Sequence, residues 1–259
     1  MSFLKWSLGV GKRTSNAPIW GDTGRVPLMI TPLKQTFRFV KRLVEFDHND
    51  SQRLVRFAYK EQINLNLKWY KGISSLFKTV TGLDILDKDL IMPHTIRSHM
   101  TNSFINIWNN ERGSNKKLGF YNSVKSEFGT ETYLKANIKS KEIRLLSKIR
   151  MSAHKLRIET GRYQINRSKP TNKACLTCTD VERIELLHEL PFCNGFITED
   201  EMHVLKVCPR YHDHRLALSP LTKVKLFSNI SDIFEKDHIE ETARFIRKIM
   251  NRRFPPKQH

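Results

Sequence analysis

No run of about 18 apolar residues occurs anywhere in this sequence, so a membrane-spanning helix is not expected. The opening residues Met1-Ser2-Phe3-Leu4-Lys5-Trp6 lack the apolar core of a secretory signal, so an intracellular protein, nuclear or cytoplasmic, is expected. Catalytic signatures are also missing. There is no Tyr-x-Asp-Asp pair of the polymerase kind, no phosphate-binding Gly-Lys-Ser and no Gly-x-Ser-x-Gly elbow. Gly9-Val10-Gly11 stands without the rest of a dinucleotide fingerprint. Asp232, Glu235 and Lys236 offer carboxylates and a lysine, but not at a spacing distinctive of a nuclease. Glu199-Asp200-Glu201 is a run of acids that a helix start favours electrostatically without any chemistry. No enzymatic activity is therefore expected. Period-2 alternation is scarce, and neither an internal repeat nor a low-complexity tract is visible. The expected fold is mainly α, a helical domain with basic amphipathic helices plus a small zinc-knuckle-like subdomain.

Positive charge, by contrast, is abundant. The 259 residues hold 45 Lys+Arg against 26 Asp+Glu, a formal net charge of +19. A protein of that charge repels itself and attracts polyanions, which points to nucleic acid, RNA or DNA, as partner. The excess is uneven. Residues 135–173 carry 12 basic and 2 acidic side chains, whereas residues 174–208 carry 2 basic and 7 acidic. Phosphate contact is thus expected before the cysteine cluster and not within it. Hydrophobic content of 39% with 10% aromatics suffices for a packed core. No small-molecule substrate is evident.

Periodicity places the helices. Gly9, Gly11, Pro18, Gly21, Gly24 and Pro27 suggest an ordered loop over 9–27. Thr31-Pro32 opens a helix over 32–46, with Phe37, Val40 and Val44 as its apolar stripe, widened by Phe39, Leu43 and Phe46. Ser51 caps a second helix that buries Leu54, Phe57, Ala58, Ile63 and Leu65. Residues 95–110 form a third, before Arg112-Gly113-Ser114, and 120–137 a fourth. Residues 138–160 read as one amphipathic helix. Leu145, Leu146, Ile149, Ala153 and Leu156 share its apolar face, and Gly161 caps its end. Lys141, Arg144, Lys148 and Lys155 line one flank of that face, with Arg150 and Arg157 on the other. These six and Arg162 are the candidate phosphate contacts. Segments 221–235 and 238–253 close the chain, the second amphipathic through Ile239, Ala243, Ile246 and Met250. The expected segments are 1–137, 138–173, 174–215 and 216–259.

All four cysteines fall between residues 175 and 208, which in a reducing compartment reads as metal binding. Cys175-x2-Cys178 is a pair that a tight turn places on one ion. His203-x4-Cys208 lies downstream. Thr198-x-x-Glu201 fits a capping box, so a short helix is expected from Glu199. Pro209 should end it, freeing Cys208 to meet His203. The expected site is a closed Cys-Cys-His-Cys set holding one structural Zn2+ per chain, with Cys193 and His188 as alternate ligands.

Several runs resemble a known family. Phe3-Leu4-Lys5, Leu8-Gly9-Val10, Thr14-Ser15-Asn16-Ala17, Trp20-Gly21 and Arg25-Val26-Pro27-Leu28 look like the stretch after the polymerase domain of LINE-like non-LTR retrotransposon reverse transcriptases. Ser152–Tyr163, Glu199–Leu205 and Cys208-Pro209-Arg210-Tyr211 resemble that family's C-terminal region, in the same order. The resemblance implies that residues 1–137 correspond to its thumb and connection, and that Cys175, Cys178, His203 and Cys208 form its knuckle, thought to help hold template RNA or target DNA. The stretch before His203 is longer than the family's. Fingers and palm have no counterpart, so polymerase activity is not implied. The resulting expectation is a non-catalytic C-terminal piece of such an enzyme. The alternative is a protein-interaction scaffold, host co-opted or relic, with no nucleic-acid function.

Overall fold

The computed structural model describes residues 1–26, 30–45, 53–82, 93–161, 173–175, 178 and 198–255. The chain is mainly helical. Among the described residues, β structure is limited to two isolated antiparallel bridges, Thr23 with Thr130 and Ala174 with Thr198. Contacts group the chain into two units, Arg25–Asn110 and Met1–Gly24 with Glu111–His259. That grouping cuts across the 1–137 segment.

The first unit holds α3 (Ile30–Glu45), α4 (Arg53–Asn64), α5 (Lys68–Thr81) and most of α6 (Pro93–Ser114). Phe37, Val40 and Leu43 of α3 turn inward with Tyr59, Phe77 and Met100. Phe37 meets Phe77 edge-on at 4.7 Å between ring centres. Two expectations for this unit are corrected. Phe39 is exposed, because the 3.6-residue period fits the 37–40–43 row and leaves 39 off it. On α4, Leu54, Phe57, Ala58 and Leu65 are exposed, while Tyr59 is buried and Ile63 half-buried. The helix turns its single tyrosine, not its aliphatic row, towards the α3 core. Asn66 then ends α4 in the left-handed region at φ 49°. Asn66 N–H bonds the Ile63 carbonyl and Leu67 N–H that of Gln62, the paired bonds of a Schellman cap. Val44, Phe46 and Ile96 have side chains outside the described residues.

The second unit carries the main core. Its frame is α8 (Ser140–Arg150) packed on α12 (Ile239–Arg253). From α12, Ile239, Ala243, Ile246 and Met250 point inward as expected, with Phe245 and Ile249. From α8 come Leu146 and Ile149. Full burial of such side chains is worth about 1.5–3 kcal/mol each. Glu142 accepts from the Lys139 N–H at the start of α8 and pairs with Arg247 of α12 at 3.0 Å, tying the two helices. Around this frame lie α1 (Ser2–Ser7), α2 (Asn16–Thr23), α7 (Gly119–Val124), α9 (Arg157–Thr160), α10 (His212–Leu216) and α11 (Pro220–Ser228). Part of the expected 9–27 loop is therefore the helix α2. Its Ala17, Ile19, Gly21 and Asp22 are all buried, and tertiary burial overrides Pro18 and Gly21, while Gly24 caps the end. The expected 120–137 helix is only α7 followed by a 3-10 turn at Thr132–Leu134.

The 138–160 helix is corrected too. It stops at Arg150 because Ser152 adopts φ 48°. Ser152 N–H bonds the Ile149 carbonyl and Ala153 N–H that of Lys148, a second Schellman cap. A left-handed serine costs about 1–2 kcal/mol. Its hydroxyl offsets this by donating to Glu201 at 2.6 Å.

Candidate metal centre

The ligand-bearing segments are joined by the bridge between Ala174 and Thr198, reinforced by the Glu199 N–H bonding the Lys173 carbonyl at 2.8 Å. Cys175 and Cys178 follow in a tight turn, Cys178 N–H to Cys175 carbonyl at 3.2 Å. On the other side, Asp200 starts a helical turn. Its carboxylate accepts the His203 N–H at 2.7 Å and its carbonyl accepts the Val204 N–H at 3.1 Å. The cap is thus Asp200, and Thr198 serves the bridge instead of a capping box.

From His203 to Val207 the backbone is π-helical. Cys208 N–H reaches back five residues to the His203 carbonyl at 2.8 Å. A π turn stacks residue i over i+5, so His203 and Cys208 come onto one face, as an α turn would not allow. Pro209 then begins a 3-10 turn. Arg215 pins the π turn from α10, donating to the carbonyls of Val204 at 3.4 Å, Val207 at 3.3 Å and Cys208.

Four buried side chains converge here. One ligand atom from each of Cys175, Cys178, His203 and Cys208 lies within 4.8 Å of all the others. Cys175 Sγ and Cys208 Sγ are 3.8 Å apart, and Cys178 Sγ and Cys208 Sγ are 4.0 Å apart. Cys178 Sγ is 3.5 Å from His203 Nε2. A tetrahedral ion with metal–sulfur bonds of about 2.3 Å and metal–nitrogen bonds of about 2.0–2.1 Å has edges of about 3.8 Å and 3.6 Å. The pocket among these atoms therefore fits a metal ion. Close packing makes the four side chains share protons: hydrogen bonds with Cys175 and Cys208 hold the Cys178 thiol well above its ordinary value. Hydrogen bonds from Cys178 and Cys208 hold the Cys175 thiol far below its ordinary value. Burial alone would lower His203, but hydrogen bonds with Cys175 and Cys208 outweigh it and raise it to about 9. Cys193 and His188 lie outside the described residues.

The run 199–201 anchors the centre to the core. Glu199 receives Arg253 of α12 through two bonds, 2.7 and 3.1 Å, and the Arg157 N–H at 2.9 Å. Glu201 receives Ser152 and, at 2.7 Å, His154 Nε2. His154 Nδ1 accepts the Leu156 N–H, which leaves the ring proton on Nε2. Sequence reasoning missed Asp200 and Arg215 as supports. Asp200 carried a signal, an Asx residue three positions before a ligand, whereas nothing local marks Arg215.

The candidate phosphate contacts divide. Lys141, Arg144 and Lys155 are exposed, and Lys148 and Arg157 are half-buried. Arg162 lies outside the described residues. Arg150 is removed from the set: it is 0% exposed and pairs with Asp22, also 0% exposed, at 3.1 and 3.3 Å. The Nη2 amino group that bonds Asp22 also meets Glu131, at 2.9 Å. The guanidinium lies 4.8 Å from the centre of the Phe234 ring and 5.5 Å from that of Tyr133, whose hydroxyl also donates to Asp22 at 2.9 Å. The helical wheel put Arg150 on an open flank, but α2 covers that flank.

Among the described residues, no helix is long and apolar enough to cross a membrane. Comparison of the chain with family models, curated proteins and solved structures finds no match in any of the three.

Proposed function

We propose that this is a non-catalytic nucleic-acid-binding protein whose fold is closed by one structural zinc ion. Three thiolates and an imidazole, with no open position, are the donor set of a structural zinc site. Bound there, zinc supplies folding energy and no reaction chemistry. The observation that carries the binding role is the segregation of charge. Asp22, Glu142, Glu159 and Glu199 are buried, and each pairs with an arginine or a lysine, while buried Glu201 accepts from Ser152 and His154. Lys141 and Arg144 stand on the surface instead. Among the described residues, these surface cations remain available to attract phosphate. The resemblance to the C-terminal region of LINE-like reverse transcriptases supports the same reading and supplies its biological setting, an RNA or DNA strand handled during retrotransposition.

A protein-interaction role is the second reading, favoured by one observation. Leu221, Val224 and Phe227 of α11 stand at three-residue spacing, each more than half exposed. Two measurements decide. Elemental analysis should find about one zinc per chain, and chelation should unfold the segment around Cys208 while α12 persists. Zinc-free protein with native circular dichroism would remove the metal from the reading. Oligonucleotide binding that weakens steeply with salt supports the first function, and salt-independent or absent binding supports the second.

A further inference from the structure

We propose that α1 and α8 form a stacking platform for the unpaired bases of single-stranded nucleic acid. Trp6 and Phe3 supply the rings, and Lys141, Arg144 and Lys148 supply the phosphate rail. This rests on the nucleic-acid reading above and narrows it to a strand type.

The platform is built from a short segment. Leu4 and Leu8 turn inward and pack with Val10, Ile19 and Met151. Phe3 and Trp6 face the other way, 71% and 68% exposed, with ring centres 6.0 Å apart and planes inclined by 34°. Two large aromatics left in water are an unused apolar surface, and their neighbours are cationic. The Arg144 guanidinium lies 5.7 Å from the centre of the Trp6 ring, and its Nε donates to the Ser7 carbonyl at 3.3 Å. Lys141 and Lys148 lie one turn either side of Arg144 on the same face of α8. Lys12 and Arg13 are exposed in the loop that follows α1. Among the described residues, no carboxylate forms an ion pair with any of these five cations.

The helix that carries the rings is tied down before any ligand arrives. Gly9 at φ +66° closes α1 with a Schellman cap, and a Cβ there would sit 2.9 Å from the Arg144 side chain. Lys5 Nζ ties α1 to the following loop by donating to the carbonyls of Lys12 at 2.8 Å and Thr14 at 2.6 Å. Fixed aromatic rings beside a cationic row are how proteins hold single strands without sequence preference. The ring takes a base face, and the cations track the backbone. A duplex hides its base faces in its own stack, so it gains only the rail.

The test compares Trp6→Leu and Trp6→Phe with wild type, against a labelled single-stranded oligonucleotide and a duplex of equal length. Trp6→Leu keeps the apolar bulk but loses the π face. It should weaken single-strand binding roughly ten-fold, while Trp6→Phe keeps most of the affinity. Duplex affinity and the salt slope should stay as in wild type for both variants, because no charge changes. As an independent readout, the single strand should quench tryptophan emission more in wild type than in Trp6→Phe, which keeps the other three tryptophans. Equal single-strand affinity of Trp6→Leu and wild type, or equal loss on both ligands, overturns the platform while leaving the nucleic-acid reading standing. Absence of binding by wild type overturns both. A shift of Trp6 emission with anionic phosphatidylserine vesicles and none with the oligonucleotide also overturns the platform, marking the patch as a membrane-surface site.

Discussion

Arg150 shows how one residue can reverse a surface prediction. Its charge is sealed from water and balanced by Asp22 and Glu131, with the Tyr133 hydroxyl completing the network through Asp22 and, at 3.0 Å, Ser147. Burial first, and then the neighbouring Asp22 charge, holds the Tyr133 phenol well above its ordinary value, so it remains a donor. Two ions out of water are costly together and costlier apart. Asp22→Ala should therefore destabilise the protein by about 3–5 kcal/mol, since it removes the guanidinium's fully buried partner and leaves it the half-buried Glu131. Arg150→Met combined with Asp22→Leu should cost clearly less than the sum of the single changes. Urea denaturation of Arg150→Met, Asp22→Leu and the double variant measures this coupling, and strict additivity would refute the network. Nothing local in the sequence marks the pair, because 128 positions separate the partners.

At the level of elements, the Cys-Cys-His-Cys cluster depends on a turn of the wrong pitch. An α-helix would carry His203 and Cys208 to different faces, and the π turn between them brings them together. Asp200 sets where that turn begins, through its bond to the His203 N–H. Asp200→Ala should lower metal affinity roughly ten-fold by loosening the His203 backbone, and Asp200→Asn, whose amide oxygen still accepts, should restore most of it. Competition with a chromophoric chelator reads both values, and an unchanged affinity for the alanine variant would show that the cap is irrelevant to the centre. That Cys175, Cys178, His203 and Cys208 come together was legible in the sequence, because spacing brings two short motifs into view. The π turn was not, since Pro209 announces a break without specifying its kind. Periodicity similarly found α3, α12 and the apolar row of α8. It overran the end of α8 because Ser152, unlike glycine, gives no warning of a left-handed cap. It also mistook α4, whose exposed Leu54 and Phe57 look like a core row.

For the molecule as a whole, charge distinguishes a binding protein from a scaffold. Residues 138–160 were read as one amphipathic helix with basic flanks, but α8 carries only part of that charge outward. Arg150 turns inward, Arg157 is half-buried, and Lys155 follows the break. What remains on one face of α8 is the row Lys141, Arg144 and Lys148. If about five phosphates are neutralised in all, log K against log salt should slope by roughly −3.5 to −4.5. Changing that row together to alanine should flatten the slope by roughly 2 to 3 units, because each lost cation leaves one counterion in place. The fold should survive, since none of the three is buried and Glu142, which ties α8 to α12, is untouched. A Cys175→Ser variant should behave differently. It should weaken binding only as far as the centre loses its order, because residues 174–208 are net acidic and poor ligands for phosphate. Titrating one labelled oligonucleotide at several salt concentrations, with wild type and both variants, separates these effects. A triple variant with the wild-type slope would make α8 an ordinary solvated face, and the apolar stripe of α11 would then be the surface to pursue.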